Sequence, residues 1–568
     1  MTVISKKILD ADENALEQSN QNALAQVLSS STTGSQLHIV GDFGNGSSFT
    51  GTNLDDTVTI TGNLLGAANP DQSNYANERF AINLLEGNDT LVVGGKTLID
   101  FQKELRILGG DGDKSINFGG NIENNEGYFS LDLLVDGNHD ILIDGDLSTN
   151  GGISHGKSEI ILNSEYRDIG NSYKAGINIS GNIISKNWGY NSISNYSKIA
   201  NLSVQGSVYA EGGENKFTVM GEIASIDIQG LLKAYPAADD NTSYRVNNIG
   251  MYARDTSLSL GGLYADRGTN RIELASGMYD NDISQHNIII NGDITTYNYG
   301  HNGLSAYSKT VLEVNGDVNS FIGDGTGFNF ISRNHINSSK FDDSLTFLGN
   351  FFTESGENTV GMHGGNDDLY IEGNLHAENN GSQNTFSLGD GNDIMTLIGN
   401  VTAANGGRNR IWADAGDDII HLNGHINAGA LEINGGPGND TLILTASTLS
   451  RFEANYKDWL VDLSSSGLLA SNIETIRLDV RNVQPNKIGW LTDLVNQANA
   501  NGANITLEDK NGNVITEPQL GLAADSGSAN AFSIMADQHS ADSASARDFA
   551  NDNYNAAFDQ HAQTALIV

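Results

Sequence analysis

The chain has 568 residues, a formal net charge of −40, no cysteine, 66 glycines and five prolines. That charge sets aside nucleic acid and anionic membranes as partners and favours cations, and the missing cysteines exclude disulfides and thiolate metal sites. No apolar run reaches the ~18–20 residues of a membrane-spanning helix.

The first stretch, 1–35, has neither the apolar segment nor the cleavage pattern of a secretory leader. Leu9, Leu16, Ala23, Leu24 and Val27 lie on one helical face, which predicts a helical cap over the open first coil of a repeat region beginning at residue 36. Within that region glycine corners recur at Gly62, Gly120, Gly145, Gly181, Gly206, Gly230, Gly262, Gly292, Gly316, Gly349, Gly373, Gly399 and Gly424. Most gaps are 24–26 residues and the others 30–36, while the first, 58, leaves room for one unrecognised corner. A fixed period of this size marks a solenoid, and units this short cannot hold a βαβ crossover. Strand interiors such as Ile141-Leu142-Ile143 and Leu369-Tyr370-Ile371 alternate with period two. The predicted fold is therefore all-β, a right-handed parallel β-helix over 36–445 with coils of about 25 residues.

Mid-chain, Tyr244, Arg245, Tyr252, Arg254, Asp255, Arg267 and Arg271 form a polar and aromatic cluster, and Tyr297, Tyr299 and Tyr307 come after it. Two readings stay open here. One is a solvated face with balanced charge; the other is a groove over 240–340 in which a polysaccharide is cleaved or epimerised, a chemistry that needs paired carboxylates or a metal-assisted base.

The repeat is clearest over 355–444, where each coil opens on a Gly/Asn/Asp turn. Asp368, Asp393, Asp418 and Asp440 are 25, 25 and 22 residues apart. Stacked coils lie about 4.8 Å apart, so these aspartates would form a like-charge column. Two unit charges at ~5 Å in an effective dielectric of ~20 repel by roughly 3 kcal/mol. A bridging cation, raised pKa values or splayed side chains would relieve that. Calcium is the suitable cation, because it takes carboxylate and turn-carbonyl oxygens. The alternative is that each Asp is solvated and only shapes an Asx turn.

The segments GGPGNDTLIL (435–444), GDGNDIMTL (389–397), GGNDDLYI (364–371) and LEGNDTLVV (85–93) resemble the calcium-binding nonapeptide GGxGxDxUx of RTX proteins. The resemblance implies Ca²⁺ held between turns of neighbouring coils and folding after export. It points to Asp89, Asp393 and Asp440, with Gly435, Gly436 and Gly438 in the turn, and less fully to Asp368 and Asp418. RTX β-rolls set nonapeptides back to back, whereas this chain has one motif per coil. The phrase SNIETIRLD (471–479) is similar to the strand that commonly follows RTX repeats.

Beyond the repeats, 446–520 is expected to be a capping module. Ile488, Leu491, Leu494, Val495 and Ala498 have helical spacing, and Ile505 and Leu507 would face Val514 and Ile515 across an Asn511-Gly512 hairpin. The last stretch, 521–568, is read as a flexible acidic tail. From residue 523 on it has no Lys, a single Arg547 and an apolar end, Ala565–Val568, and so resembles the uncleaved signal of type I secretion. The whole suggests a secreted, calcium-stabilised protein, structural or adhesive at the cell surface, with a type I exporter and a polysaccharide or cell-surface polymer as candidate partners.

Overall fold

The computed structural model describes residues 34–44, 48–68, 82–133, 137–152, 156–163, 173–236, 245–276, 284–321, 332–427, 430–445, 468–479 and 505–508, with Thr492, Asn496 and Val514 as isolated positions. The cap expected before residue 34, the helix expected around Ile488–Ala498 apart from Thr492 and Asn496, which are helical, the Asn511-Gly512 turn and the tail lie outside the described residues.

The coils stack into three ladders, most coils giving one strand to each. In one coil these are Asp368–Glu372, Leu375–Ala377 and Gln383–Ser387. The next coil supplies Ile394–Ile398, Val401–Ala403 and Arg408–Trp412, paired parallel to them in register. The first ladder follows the Gly/Asn/Asp turn, the second follows the glycine corner, and the third closes the coil. The parallel β-helix expected from the period is thus the observed architecture. In two coils, Glu214–Tyr235 and Val246–Asp266, a continuous strand runs through the corners.

The interior is one apolar column. Inward positions such as Ile141, Ile143, Leu369, Ile371, Leu375 and Phe386 are wholly buried, each contributing about 1.5–3 kcal/mol through apolar burial. Their neighbours along each strand face outward, some of them apolar, as Leu142 and Ile289 are at 38% and 43% exposed, so the alternation read from the sequence is the in–out alternation of the strands.

The corner glycines stack tightly. A Cβ on Gly373, Gly399 or Gly424 would lie 2.0, 1.9 and 1.7 Å from the carbonyl oxygen of the glycine one coil back. Close approach, rather than positive φ, is what requires glycine there. Gly95 supplies the corner missing between Gly62 and Gly120, and it is Gly261, not the expected Gly262, that stacks between Gly230 and Gly292.

A second column is not apparent from the sequence. Asn191, Asn215, Asn247, Asn270, Asn302, Asn334, Asn358, Asn384 and Asn409 all point inward from the third ladder, and each Nδ2 donates to the next Oδ1 at 2.7–2.9 Å. Most of their remaining protons go to main-chain carbonyls of the second-ladder strands, as from Asn384 to His376 O at 3.0 Å. A buried amide satisfied in this way avoids the desolvation penalty. The sequence signal was the Asn recurring in phrases such as GENTVG, SQNTFS and GRNRIW, which reads as polar surface unless the strand phase is known.

Within 446–520 the described strands continue the same ladders. Leu468–Ser471 pairs parallel with Leu431–Asn434, Thr475–Asp479 with Thr441–Thr445, and Ile505–Glu508 with Thr475–Asp479. SNIETIRLD therefore supplies a further rung of the first ladder.

Candidate metal centre

One position per coil, just before the first-ladder strand, points into the solenoid. Near the start this column reads Asp56, Asp89, Lys114, His139. Toward the end it reads Thr310, Asp343, Asp367, Asp393, Asp418, Asp440. Asp89, Asp393, Asp418 and Asp440 stand where the spacing placed them, each no more than 1% exposed. Asp368 does not. It pairs with Ile394 and is exposed, and Asp367, 2% exposed, fills the column instead. The phrase GGNDD holds two aspartates, and only the pairing register decides which turns inward.

The solvated member of the turn is the residue before the column. Asn392 N–H donates to Asn366 Oδ1, Asp417 N–H to Asn392 Oδ1 and Asn439 N–H to Asp417 Oδ1, at 2.8–2.9 Å on the outside. The column aspartates bond in the opposite direction. Asp343 N–H donates to Asp367 Oδ1, Asp367 N–H to Asp393 Oδ1, Asp393 N–H to Asp418 Oδ1 and Asp418 N–H to Asp440 Oδ1, at 2.7–3.0 Å.

The second carboxylate oxygen divides the column into three cases. Asp56 Oδ2 accepts from Thr52 N–H at 2.6 Å, and Asp343 Oδ2 from Ser339 N–H at 2.7 Å, so each is satisfied within its own turn. Asp89 Oδ2 faces Lys114 Nζ at 3.1 Å. Asp367, Asp393, Asp418 and Asp440 have a buried Oδ2 without a hydrogen-bond partner. Burial pushes Asp367 up to about 8, Asp418 to about 7 and Asp393 to about 6, with neighbouring aspartates adding to the rise and the accepted N–H opposing it. Asp440 is raised by burial as well.

Each of the turns before these four aspartates holds a glycine two residues ahead of the column. A Cβ on Gly391, Gly416 or Gly438 would lie 1.5–1.6 Å from the carbonyl oxygen of the glycine at the same turn position in the neighbouring coil, and Gly391 and Gly416 have φ +149. Gly436, φ +97, comes equally close to Asp414 O, and a Cβ on Gly435 would sit 2.4 Å from Asp440 Oδ2. The three expected turn glycines thus hold the backbone against the column. Among the described residues, no three His, Asp or Glu side chains group as a metal cluster, since the column offers one carboxylate per rung. A hard cation here would take one or two carboxylates and complete its oxygen shell from turn carbonyls. Carboxylate oxygens that lack a hydrogen-bond partner, in turns whose glycines stack closely from coil to coil, fit such an ion.

The mid-chain cluster is arranged differently. Arg254 pairs with Glu222 at 2.7 Å and Asp255 at 2.8 Å, and Arg271 with Glu273 at 3.1 Å, all on the outside. A shallow cavity of about 490 Å³ is lined by Ser305, Tyr307, Asn337, Ser339, Lys340 and His363 among others, with no carboxylate in its lining. Tyr297 belongs to an outer aromatic ridge from Tyr264 through Phe321 and Phe352 to His376, stacked on Phe321 at 4.7 Å. Its ring face is covered, whereas Tyr299 and Tyr307 are 40% and 51% exposed.

No protein-family model matches the chain, and no curated protein does. Among solved structures, the chain is similar to a hyperactive, Ca²⁺-dependent, beta-helical antifreeze protein from an Antarctic bacterium, at 15% identity over 85% of this chain and 95% of that one, with a TM-score of 0.27.

Proposed function

We propose that this protein is a structural solenoid stabilised by calcium, working outside the cell as a surface to which polymers or neighbouring cells attach. The observation that carries the reading is the run of four consecutive buried carboxylate oxygens, on Asp367, Asp393, Asp418 and Asp440, without a hydrogen-bond partner and without a cationic side chain beside them, whereas Asp89 Oδ2, which also lacks a hydrogen bond, has Lys114 Nζ at 3.1 Å as its ion-pair partner. An unpaired buried charge is costly, and a divalent cation held by these oxygens and the glycine-turn carbonyls offsets that cost. Calcium supplies positive charge there; the chain's own residues supply the oxygens and exclude solvent. Millimolar extracellular calcium suits a site of this kind, and the Asp- and Ser-rich residues 523–568 support export by a type I machinery. The exposed rings of Tyr299 and Tyr307 and the Asn/Ser/Thr-rich outer strands support attachment to polymers such as polysaccharides.

The test is thermal unfolding of the full chain in chelator, magnesium and calcium. A ligand bound only by the folded state, at tenfold over its dissociation constant, stabilises by about 1.4 kcal/mol. A melting temperature that ignores calcium would overturn the reading. Export is checked separately, by assaying the medium for full-length protein and for a form lacking 523–568, each expressed beside a type I exporter; equal export of both leaves the tail with no part in secretion.

A further inference from the structure

At the start of the solenoid one column position is occupied by a cation that belongs to the chain. Lys114 is among the largest fully buried side chains of the protein, and both it and Asp89 are sealed from solvent. Its Nζ lies 3.1 Å from Asp89 Oδ2 and donates to Gly87 O at 2.5 Å, with Asp111 O and Gly112 O each at 3.3 Å. Gly87 and Gly112 have φ +114 and +109. They stand two residues before the column, as Gly365, Gly391, Gly416 and Gly438 do in the later coils. Gly109 leaves the space the lysine stem needs, since a Cβ there would lie 3.1 Å from Lys114 Cε.

An ammonium ringed by one column carboxylate and three turn carbonyls has the oxygen surroundings expected of a metal ion. We propose that Lys114 is a tethered replacement for the metal, so that the Gly87–Lys114 turns are neutralised without any ion while the Gly365–Asp440 turns depend on one. This rests on the calcium reading of the later coils. It assigns cation dependence to one part of the solenoid and independence to another, a difference that neither the repeat nor the motif resemblance contains, because GDGDK (110–114) and GDGND (389–393) look like versions of one turn.

The experiment is hydrogen exchange followed by mass spectrometry on the full chain, in chelator and in millimolar calcium. In the wild-type protein, chelation should lower protection of the strands Ile394–Ile398, Ile419–Asn423 and Thr441–Thr445 by about tenfold or more. Asp89–Val93 and Lys114–Phe118 should not change. In Lys114→Ala, those two strands should lose protection in chelator and regain it in calcium, which can enter the vacated space. Should Lys114→Ala fail to fold, the Asp89→Asn/Lys114→Met pair, neutral on both sides, should fold and keep both strands protected in chelator. The proposal is overturned if wild-type Asp89–Phe118 strands follow the chelator, if Lys114→Ala keeps full protection there or is not restored by calcium, or if the neutral pair loses it. Indifference of Ile394–Thr445 to calcium sinks the calcium reading itself, and is read on separate peptides.

Discussion

Lys114 Nζ and Asp89 Oδ2 are 3.1 Å apart with neither side chain reached by solvent, whereas the equivalent oxygen of Asp393, also buried, faces no donor. The same turn thus holds a lysine ammonium against its aspartate in one coil and no cationic side chain in another. Burial raises Asp89 to about 6 against the lowering influence of Asp56 N–H and the lysine. Removing one partner of a fully buried pair costs about 3–5 kcal/mol. Lys114→Met should destabilise by that order in denaturant unfolding, and adding Asp89→Asn should recover most of it. A single variant as stable as wild type would show that the pair contributes nothing.

The open aspartates predict the opposite response. Asp393→Asn with Asp418→Asn keeps an acceptor for each main-chain N–H and removes two buried charges. In chelator the double variant should be more stable than wild type by about 1–3 kcal/mol. Its calcium-induced rise in melting temperature should shrink to less than half. Retention of the full rise would place the ion elsewhere.

Gly399 tests the coil register. A Cβ at this corner would lie 1.9 Å from Gly373 O, and main-chain carbonyls in a packed stack cannot step aside. Gly399→Ala should cost about 1–3 kcal/mol, more than the ~1 kcal/mol by which alanine usually outperforms glycine elsewhere. Unchanged unfolding would mean that the corners do not stack this closely.

Asn358 tests the inner amide column. It accepts from Asn334 and donates to Asn384 at 2.8 and 2.9 Å, and its Nδ2 also reaches Phe352 O at 2.9 Å. Asn358→Ala leaves buried partners on both sides without a mate, at about 1–3 kcal/mol each. The loss should exceed that of Asn337→Ala on the outer side of a neighbouring strand, as measured by chemical denaturation; equal losses would remove the column from the energetics.

His286 predicts a pH response. It is fully buried, its Nδ1 lies 2.8 Å from Thr256 Oγ1, and burial lowers its pKa from 6.5 to about 4, with Asp255 opposing the shift. The unfolded chain then binds the proton first as pH falls. Stability from this residue is complete above about pH 6.5, declines between 6.5 and 4, and levels below, by at most about 3 kcal/mol. His286→Gln should flatten that part of the stability–pH curve. An unaltered slope would assign the decline to other groups.

The period, the corners and the in–out alternation were all legible in the residues, because a solenoid repeats one local solution and each coil contacts only its neighbours. That is why thirteen spaced glycines and a run of alternating strands sufficed for the fold, and why Asp89, Asp393, Asp418 and Asp440 could be placed in one column. Register was not legible. A shift of one residue exchanges the faces of a strand, so Asp367 and Asp368, or Gly261 and Gly262, are interchangeable on paper and only the pairing between coils separates them. Nor could spacing reveal which aspartates are satisfied. Thr52, Ser339 and Lys114 meet Asp56, Asp343 and Asp89 through distances of 2.6–3.1 Å, while the Oδ2 atoms of Asp367, Asp393, Asp418 and Asp440 meet no donor. Whether a buried charge is paired depends on where side chains from different coils end in space, and that is decided by the tertiary structure alone.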